Sequence, residues 1–226
     1  LVSAFSSDAV AAVTGWLALP PGVPAAVRGY WSMERALRRD EATLHSSIGV
    51  TGAVWALRRA LWAPLPPGLI LDDVYTPMRL VLEGHRIAVS DNAIARDTRA
   101  PQREAEFERK VRTLTGVYQV CAFLPDLLRP SRNPVWGQFV VHKLLRLATP
   151  FLLALGAVAG AVGLSTWLFR QGWLLPAVVA VAVVCALVFV TPLRRVARSA
   201  WDALHLQFAA VRATQNAWRG RWDVWR

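Results

Sequence analysis

The chain has 226 residues and 26 Lys and Arg against 15 Asp and Glu, a net charge of +11; every cation except Lys110 and Lys143 is arginine. The length suits one domain with membrane segments, or two small domains. A basic excess fits nucleic acid or an anionic membrane surface. No nucleic-acid-binding module or basic-aromatic repeat is present, and the apolar residues, 54% of the chain, are concentrated after Leu144, so the charge is assigned to the membrane. Cys121 and Cys185 lack metal-ligand spacing and read as packed thiols. His45, His85, His142 and His205 are scattered and read as structural or interfacial.

Leu1 to Phe5 reads as the end of a helix. Val10 to Leu19 is apolar and β-branched, closed by Pro20-Pro21-Gly22, and reads as a strand. From Arg28 to Ser46 the period turns helical: Tyr30, Met33, Leu37 and Leu44 share one side. Glu34, Arg38, Arg39, Asp40 and Glu41 fall mostly elsewhere and read as a solvated face, Glu34 excepted. Ile48 to Leu57 reads as a buried strand in which Gly52 admits close approach to the backbone. After the Pro64–Gly68 loop, Leu69-Ile70-Leu71 leads into Asp72-Asp73. A helix is expected over Val74–Glu83, ending at Gly84, with an acid as its N-cap. Acids are favoured at a helix start by the free amides and the dipole, so on geometry alone the pair reads as a cap or as catalytic.

His85 to Val89 reads as a further strand, Asp91-Asn92 as a turn and Ala93 to Asp97 as extended. Glu104, Glu106, Glu108, Arg109, Lys110 and Arg112 then open a helix, acids before bases. It turns apolar towards Leu128 and is broken by Arg129-Pro130-Ser131-Arg132-Asn133-Pro134. Trp136, Phe139, Val140 and Leu144 mark an interfacial helix ending in His142-Lys143 and Arg146. Leu147–Phe169 and Gln171–Leu193 carry no charge, and each exceeds the roughly 20 residues that span a bilayer core. Trp167 and Trp173 flank the Arg170-Gln171-Gly172 turn. Lys143, Arg146, Arg194, Arg195 and Arg198 outweigh Arg170 and place both flanks in the cytoplasm. Gly156, Gly160 and Gly163 allow close helix contact. Trp201, Leu204, Phe208, Val211 and Trp218 repeat at helical spacing on a charged segment, as in a helix lying in the interface.

Three clusters follow in order: Val50-Thr51-Gly52-Ala53, Leu71-Asp72-Asp73 and Arg109-Lys110-Val111-Arg112. With His142-Lys143-x-x-Arg146 they resemble the acceptor-side half of a membrane-embedded family-2 glycosyltransferase, the group of cellulose-synthase-like and related polysaccharide synthases. The likeness runs from about Val10 to the C-terminus. It implies an α/β fold: a partial GT-A-like domain over 1–115, interfacial helices over 116–146, a transmembrane hairpin over 147–193 and an amphipathic interfacial helix over 194–226. It implies an enzyme that transfers a sugar, with inversion, from a nucleotide-diphosphate sugar to a glycan or lipid-linked acceptor at the cytoplasmic membrane face. Membrane lipid is a further partner and nucleic acid is not.

By the same resemblance Asp73 is the general base and Asp72 shapes the site. Thr51, Gly52 and Ala53 lie beside a sugar, and Arg109 and Arg112 lie near the leaving diphosphate. Asp-Asp stands where Glu-Asp is common. The Gln-x-x-Arg-Trp motif of the family retains only its arginine, as Arg112, with Thr113 in place of the stacking Trp, which speaks against a cellulose-like processive reaction. The implied divalent ion, Mg²⁺ or Mn²⁺, has no ligands in this chain. They are expected before Leu1, the chain being the C-terminal part of a longer, multi-pass inner-membrane protein and inactive alone. A non-catalytic membrane anchor or assembly subunit is the alternative.

Overall fold

The computed structural model describes residues 1–23, 25–97, 103–173, 175–181 and 193–223. Three strands form one sheet in the order β2-β1-β3. The central strand β1 (Val10–Ala18) is buried along most of its length. It pairs antiparallel with short β2 (Trp55–Leu57) and parallel with β3 (Arg86–Arg96). A parallel pair needs a crossover, and α2 (Asp72–Leu82) lies between β2 and β3 in the chain. Helix α1 (Ala25–Leu44) precedes β2. Helix α3 (Arg103–Phe123) follows β3 and gives way to a 3₁₀ turn at Pro125–Leu128.

The expected strand over Ile48–Leu57 is largely a correction. Only Trp55–Leu57 pairs, and residues 48–54 form an irregular segment with a turn at Gly52-Ala53. Two hydroxyl contacts account for this. The Thr51 amide donates to Thr14 Oγ1 at 2.7 Å, and Thr51 Oγ1 donates to the Gly15 carbonyl at 2.8 Å. Side-chain oxygens thus take the place of a strand partner. His85–Val89 and Ala93–Asp97 belong to one strand, not two. Between them residues 90–93 bulge: Thr14 pairs with Val89, but Trp16 pairs with Ile94. Trp16 Nε1 donates to Asp91 Oδ1 at 3.0 Å and holds the bulge.

Helix α1 reverses the expected orientation. Met33 and Leu44 are 57% and 76% exposed, whereas Glu34 and Glu41 are only 6% and 3% exposed. Seven residues apart, the two acids lie on one face, and that face meets the helix beginning at Trp136. This helix runs as α4 (Trp136–Phe139), a π turn (Val140–Leu144) and α5 (Leu145–Arg170), unbroken across the expected boundary at Arg146. Residues 136–170 form the one helix among those described that is long and apolar enough to cross a membrane. Its apolar side chains from Phe151 to Phe169 are mostly exposed. Residues 175–181 are helical, and residues 182–192 of the second expected span lie outside the described residues.

Helix α6 (Leu193–Trp218) docks on α3. Ala209, Ala210 and Ala213 are buried, Tyr118 and Thr214 share a hydroxyl hydrogen bond of 2.9 Å, and Arg212 pairs with Glu108. Its opposite side leaves Trp201, Leu204, Phe208 and Trp218 exposed. The core joins both parts: Ala11 and Ala12, Ile48 and Val50, Met78 and Leu80, Val117 and Val120, Phe139 and the α6 alanines form one apolar cluster.

Candidate active site

Asp72 and Asp73 are the first two residues of α2. Leu71 is the N-cap and no side chain caps the end. The acidic pair therefore does not close the helix as expected, although both carboxylates still sit at the positive end of the dipole. Asp72 is exposed. Asp73 turns inward: its Oδ1 is buried and has no hydrogen-bond partner.

The start of α2 is held from two sides. Buried Gln119 on α3 accepts the Ile70 amide at 2.8 Å and donates to the Gly68 carbonyl at 2.9 Å. Gly116, one turn earlier, lies against Leu71 so closely that an added Cβ would stand 2.4 Å from Leu71 Cγ. On the other side, the Val50 amide donates to the Asp73 carbonyl at 2.8 Å. This bond brings the Thr51-Gly52-Ala53 turn beside the carboxylate. A Cβ on Gly52 would sit 4.0 Å from Asp73 Oδ2, an ordinary contact that places the turn directly against the carboxylate.

Burial pushes the Asp73 carboxyl above its ordinary value of 3.8, and the Asp72 charge pushes the same way; Lys143 and Arg38 oppose it. Arg38 belongs to the face of α1 read as solvated, yet it reaches Thr51 Oγ1 at 3.3 Å and Glu34 at 3.5 Å. Lys143 comes from the π turn, a local unwinding that often marks functional positions. Both cations belong to the surroundings of Asp73; the sequence alone places Lys143 at the membrane entry and Arg38 on a solvated face, and neither beside the carboxylate.

Behind them lies a buried polar cluster. His142 Nε2 faces Glu34 Oε1 at 2.8 Å, and its Nδ1 faces Glu41 Oε1 at 2.7 Å. A neutral imidazole has a single N–H and satisfies one carboxylate; the doubly protonated ring satisfies both. Arg146 donates to Glu34 Oε2 at 3.2 Å and to Tyr30 Oη at 3.1 Å. Burial works to raise the Glu34 carboxyl, but the His142 hydrogen bond and charge, with Lys143 and Arg146, outweigh it and hold Glu34 far below the usual range. The cluster thus ties α1 to the helix that carries Lys143.

The structure brings Thr51, Gly52, Ala53, Asp72 and Asp73 together. Arg109 lies elsewhere on α3, exposed and paired with Glu106 at 3.3 Å. Arg112 is half-buried and four residues before Gly116, on the face of α3 that meets the start of α2. Thr113 is exposed. Among the described residues no group of three or more His, Cys, Asp or Glu side chains converges as a metal cradle.

The sheet and its helices thus place an inward carboxylate at a helix start beside a glycine turn. The chain is similar to a solved mannosyltransferase from Pyrobaculum calidifontis, in complex with GDP-Man and Mn²⁺, with a TM-score of 0.60 at 20% identity. The match covers 97% of this chain and 57% of that one, so the chain spans little more than half the length of the protein it resembles. No family model and no curated protein matches the chain.

Proposed function

We propose that the chain is the acceptor-side part of an inverting family-2 glycosyltransferase at the cytoplasmic membrane face. The observation that carries the reading is the Asp73 carboxylate, half-buried beside Gly52 with one oxygen unpartnered, in a chain that shares the fold of a mannosyltransferase. Asp73 accepts the proton of the acceptor hydroxyl while that oxygen attacks the anomeric carbon. The bond to the nucleoside diphosphate breaks on the opposite face, so the configuration inverts. A general base of this kind contributes roughly 10²–10⁴-fold to rate. Burial raises the Asp73 carboxyl without ionic lock-up, which makes it a stronger proton acceptor than a solvated aspartate. Lys143 and Arg38 oppose that rise and favour the ionised form.

The donor is a nucleotide-diphosphate sugar and the acceptor a glycan or lipid-linked sugar. Arg112 and, more remotely, Arg109 are the proposed contacts to the leaving diphosphate; a planar guanidinium suits its paired oxygens. Mg²⁺ or Mn²⁺ would neutralise that leaving group, held by residues outside this chain. The apolar stretch of α5 crosses the membrane, and Trp201, Leu204 and Phe208 of α6 rest in its interface.

The test is Asp73→Asn in the intact membrane enzyme, read for both transfer and stability. A base gives a loss of at least 10²-fold in transfer with unchanged or higher thermal stability, because a neutral amide relieves the buried charge. Retained transfer with a lowered melting temperature makes Asp73 a helix-start stabiliser and favours the anchor reading.

A further inference from the structure

A second cavity, lined by none of Thr51, Gly52, Asp72 or Asp73, lies where the α/β part meets the long apolar helix. Tyr30 of α1, Lys110 and Leu114 of α3, Arg146 and Thr149 of α5, and Gln207 of α6 line an open-sided cavity of about 110 Å³. One water needs roughly 10–15 Å³ of such space, so the cavity has room for a tetrahedral oxyanion. Two cations share the lining and no acid does. Glu34 accepts one edge of the Arg146 guanidinium from behind, and Tyr30 Oη accepts the other amino group; further N–H donors remain. Lys110 makes no hydrogen bond or ion pair among the described residues, and only Glu106, four residues before it, offsets its charge. Burial first, and then the Arg146 charge, push the Lys110 ammonium below its ordinary value, against the opposing pull of Glu106. An arrangement of two partly desolvated cations facing one space is unfavourable while empty and favourable around an anion.

The surroundings name the anion's carrier. Arg146 and Thr149 open α5, and the helix continues directly into exposed Phe151, Leu152 and Leu153. A group seated on Lys110 and Arg146 would leave an attached hydrocarbon chain along that apolar surface. We propose that this cavity is a subsite for the phosphate of a membrane lipid, with Lys110 and Arg146 as its cationic clamp, Tyr30 and Thr149 hydroxyls and Gln207 as polar partners, and the lipid chain lying on α5. The phosphate belongs to a bilayer phospholipid or to a single-chain polyprenyl phosphate; both present the same oxyanion on an apolar tail. The site does not depend on sugar transfer, and its test measures binding alone.

The experiment is native mass spectrometry of the full 226-residue chain, released from detergent with dioleoyl phosphatidylglycerol, geranylgeranyl phosphate or inorganic phosphate added in separate arms. Lys110→Glu removes one clamp at a position whose side chain faces the cavity; Lys110→Arg is the conservative variant. Arg132→Glu, exposed and outside the lining, controls for net charge. The expected result is retention of one lipid phosphate per chain, at least tenfold weaker in Lys110→Glu, near wild type in Lys110→Arg and unchanged in Arg132→Glu. Preference between the two lipid arms identifies the source. Equal retention by wild type and Lys110→Glu overturns the site. Equal losses in Lys110→Glu and Arg132→Glu overturn it in favour of diffuse charge. Inorganic phosphate binding as tightly as both lipids overturns the role of the chain on α5.

Discussion

Gly15→Ala tests the joint between the sheet and the site. Gly15 lies in the middle of β1, where the pairing with β3 slips. A Cβ there would stand 2.2 Å from the Ala93 carbonyl oxygen, 2.8 Å from Ala93 Cβ and 2.9 Å from the Ala93 carbonyl carbon. None of these atoms is the tip of a flexible side chain, so β3 itself must move. Gly15 also donates to the Val54 carbonyl at 3.0 Å and accepts the Thr51 hydroxyl at 2.8 Å. Displacing it shifts the turn that faces Asp73. Overpacking of a well-packed site costs about 1–3 kcal/mol. Removing a glycine from a strand returns about 0.5–1 kcal/mol. The net loss is about 1 kcal/mol at mid-range and at most about 2.5 kcal/mol. At roughly 2–4 °C per kcal/mol for a chain of this size, the melting temperature should fall by about 2–5 °C at mid-range. The assay is thermal unfolding of the purified chain in detergent, followed by near-UV circular dichroism, with eleven tryptophans as reporters. A variant that melts at or above wild type would refute the packing argument.

Gly29, within α1, meets nothing within 4 Å among the described residues. Gly29→Ala should therefore stabilise by about 0.5–1 kcal/mol, seen as a rise in melting temperature in the same assay. His142→Phe leaves Glu34 and Glu41 buried without their shared partner and should destabilise by about 3 kcal/mol; a wild-type melting temperature would refute the bridging role. The Glu34 carboxyl is held low, so its contribution is present above the ordinary value of 4.5 and is lost as pH falls below it. Melting temperature should drop on acidification through that range, and Glu34→Gln should flatten the drop. Asp73 has the opposite sign. Its raised value means that the folded state holds the proton more tightly, so its contribution falls as pH rises above 3.8. Transfer by the intact enzyme should increase over the same direction of pH, as the base ionises.

The local signals were readable wherever they had local causes. The β1 run, the Gly84 stop after α2 and the uncharged run from Leu147 depend on neighbours within a few residues, and the structure has each. The acidic pair was legible as a helix start, but not its two orientations. Asp72 faces solvent and Asp73 turns inward because the Val50 amide and Gln119 fix the backbone from distant segments.

Helix α1 shows why periodicity misled. Its apolar stripe predicts a buried Met33 and Leu44, and the rule fails because what meets α1 is polar. His142 reaches Glu41 across 101 residues and Glu34 across 108, so nothing near α1 in the chain announces the partner. Burying two carboxylates is unfavourable unless each is paired. The hydropathy pattern therefore inverts where a polar partner arrives from another helix. A His-Lys-x-x-Arg sequence at the mouth of an apolar run and a Glu-x₆-Glu face on a preceding helix are each unremarkable alone. Their charges are complementary, and only their pairing puts Lys143 and Arg38 around Asp73. A change that breaks the pairing, such as His142→Phe, should thus alter the pH dependence of transfer as well as stability, while Gly29→Ala, at an α1 position that meets nothing within 4 Å, should leave that pH dependence unchanged.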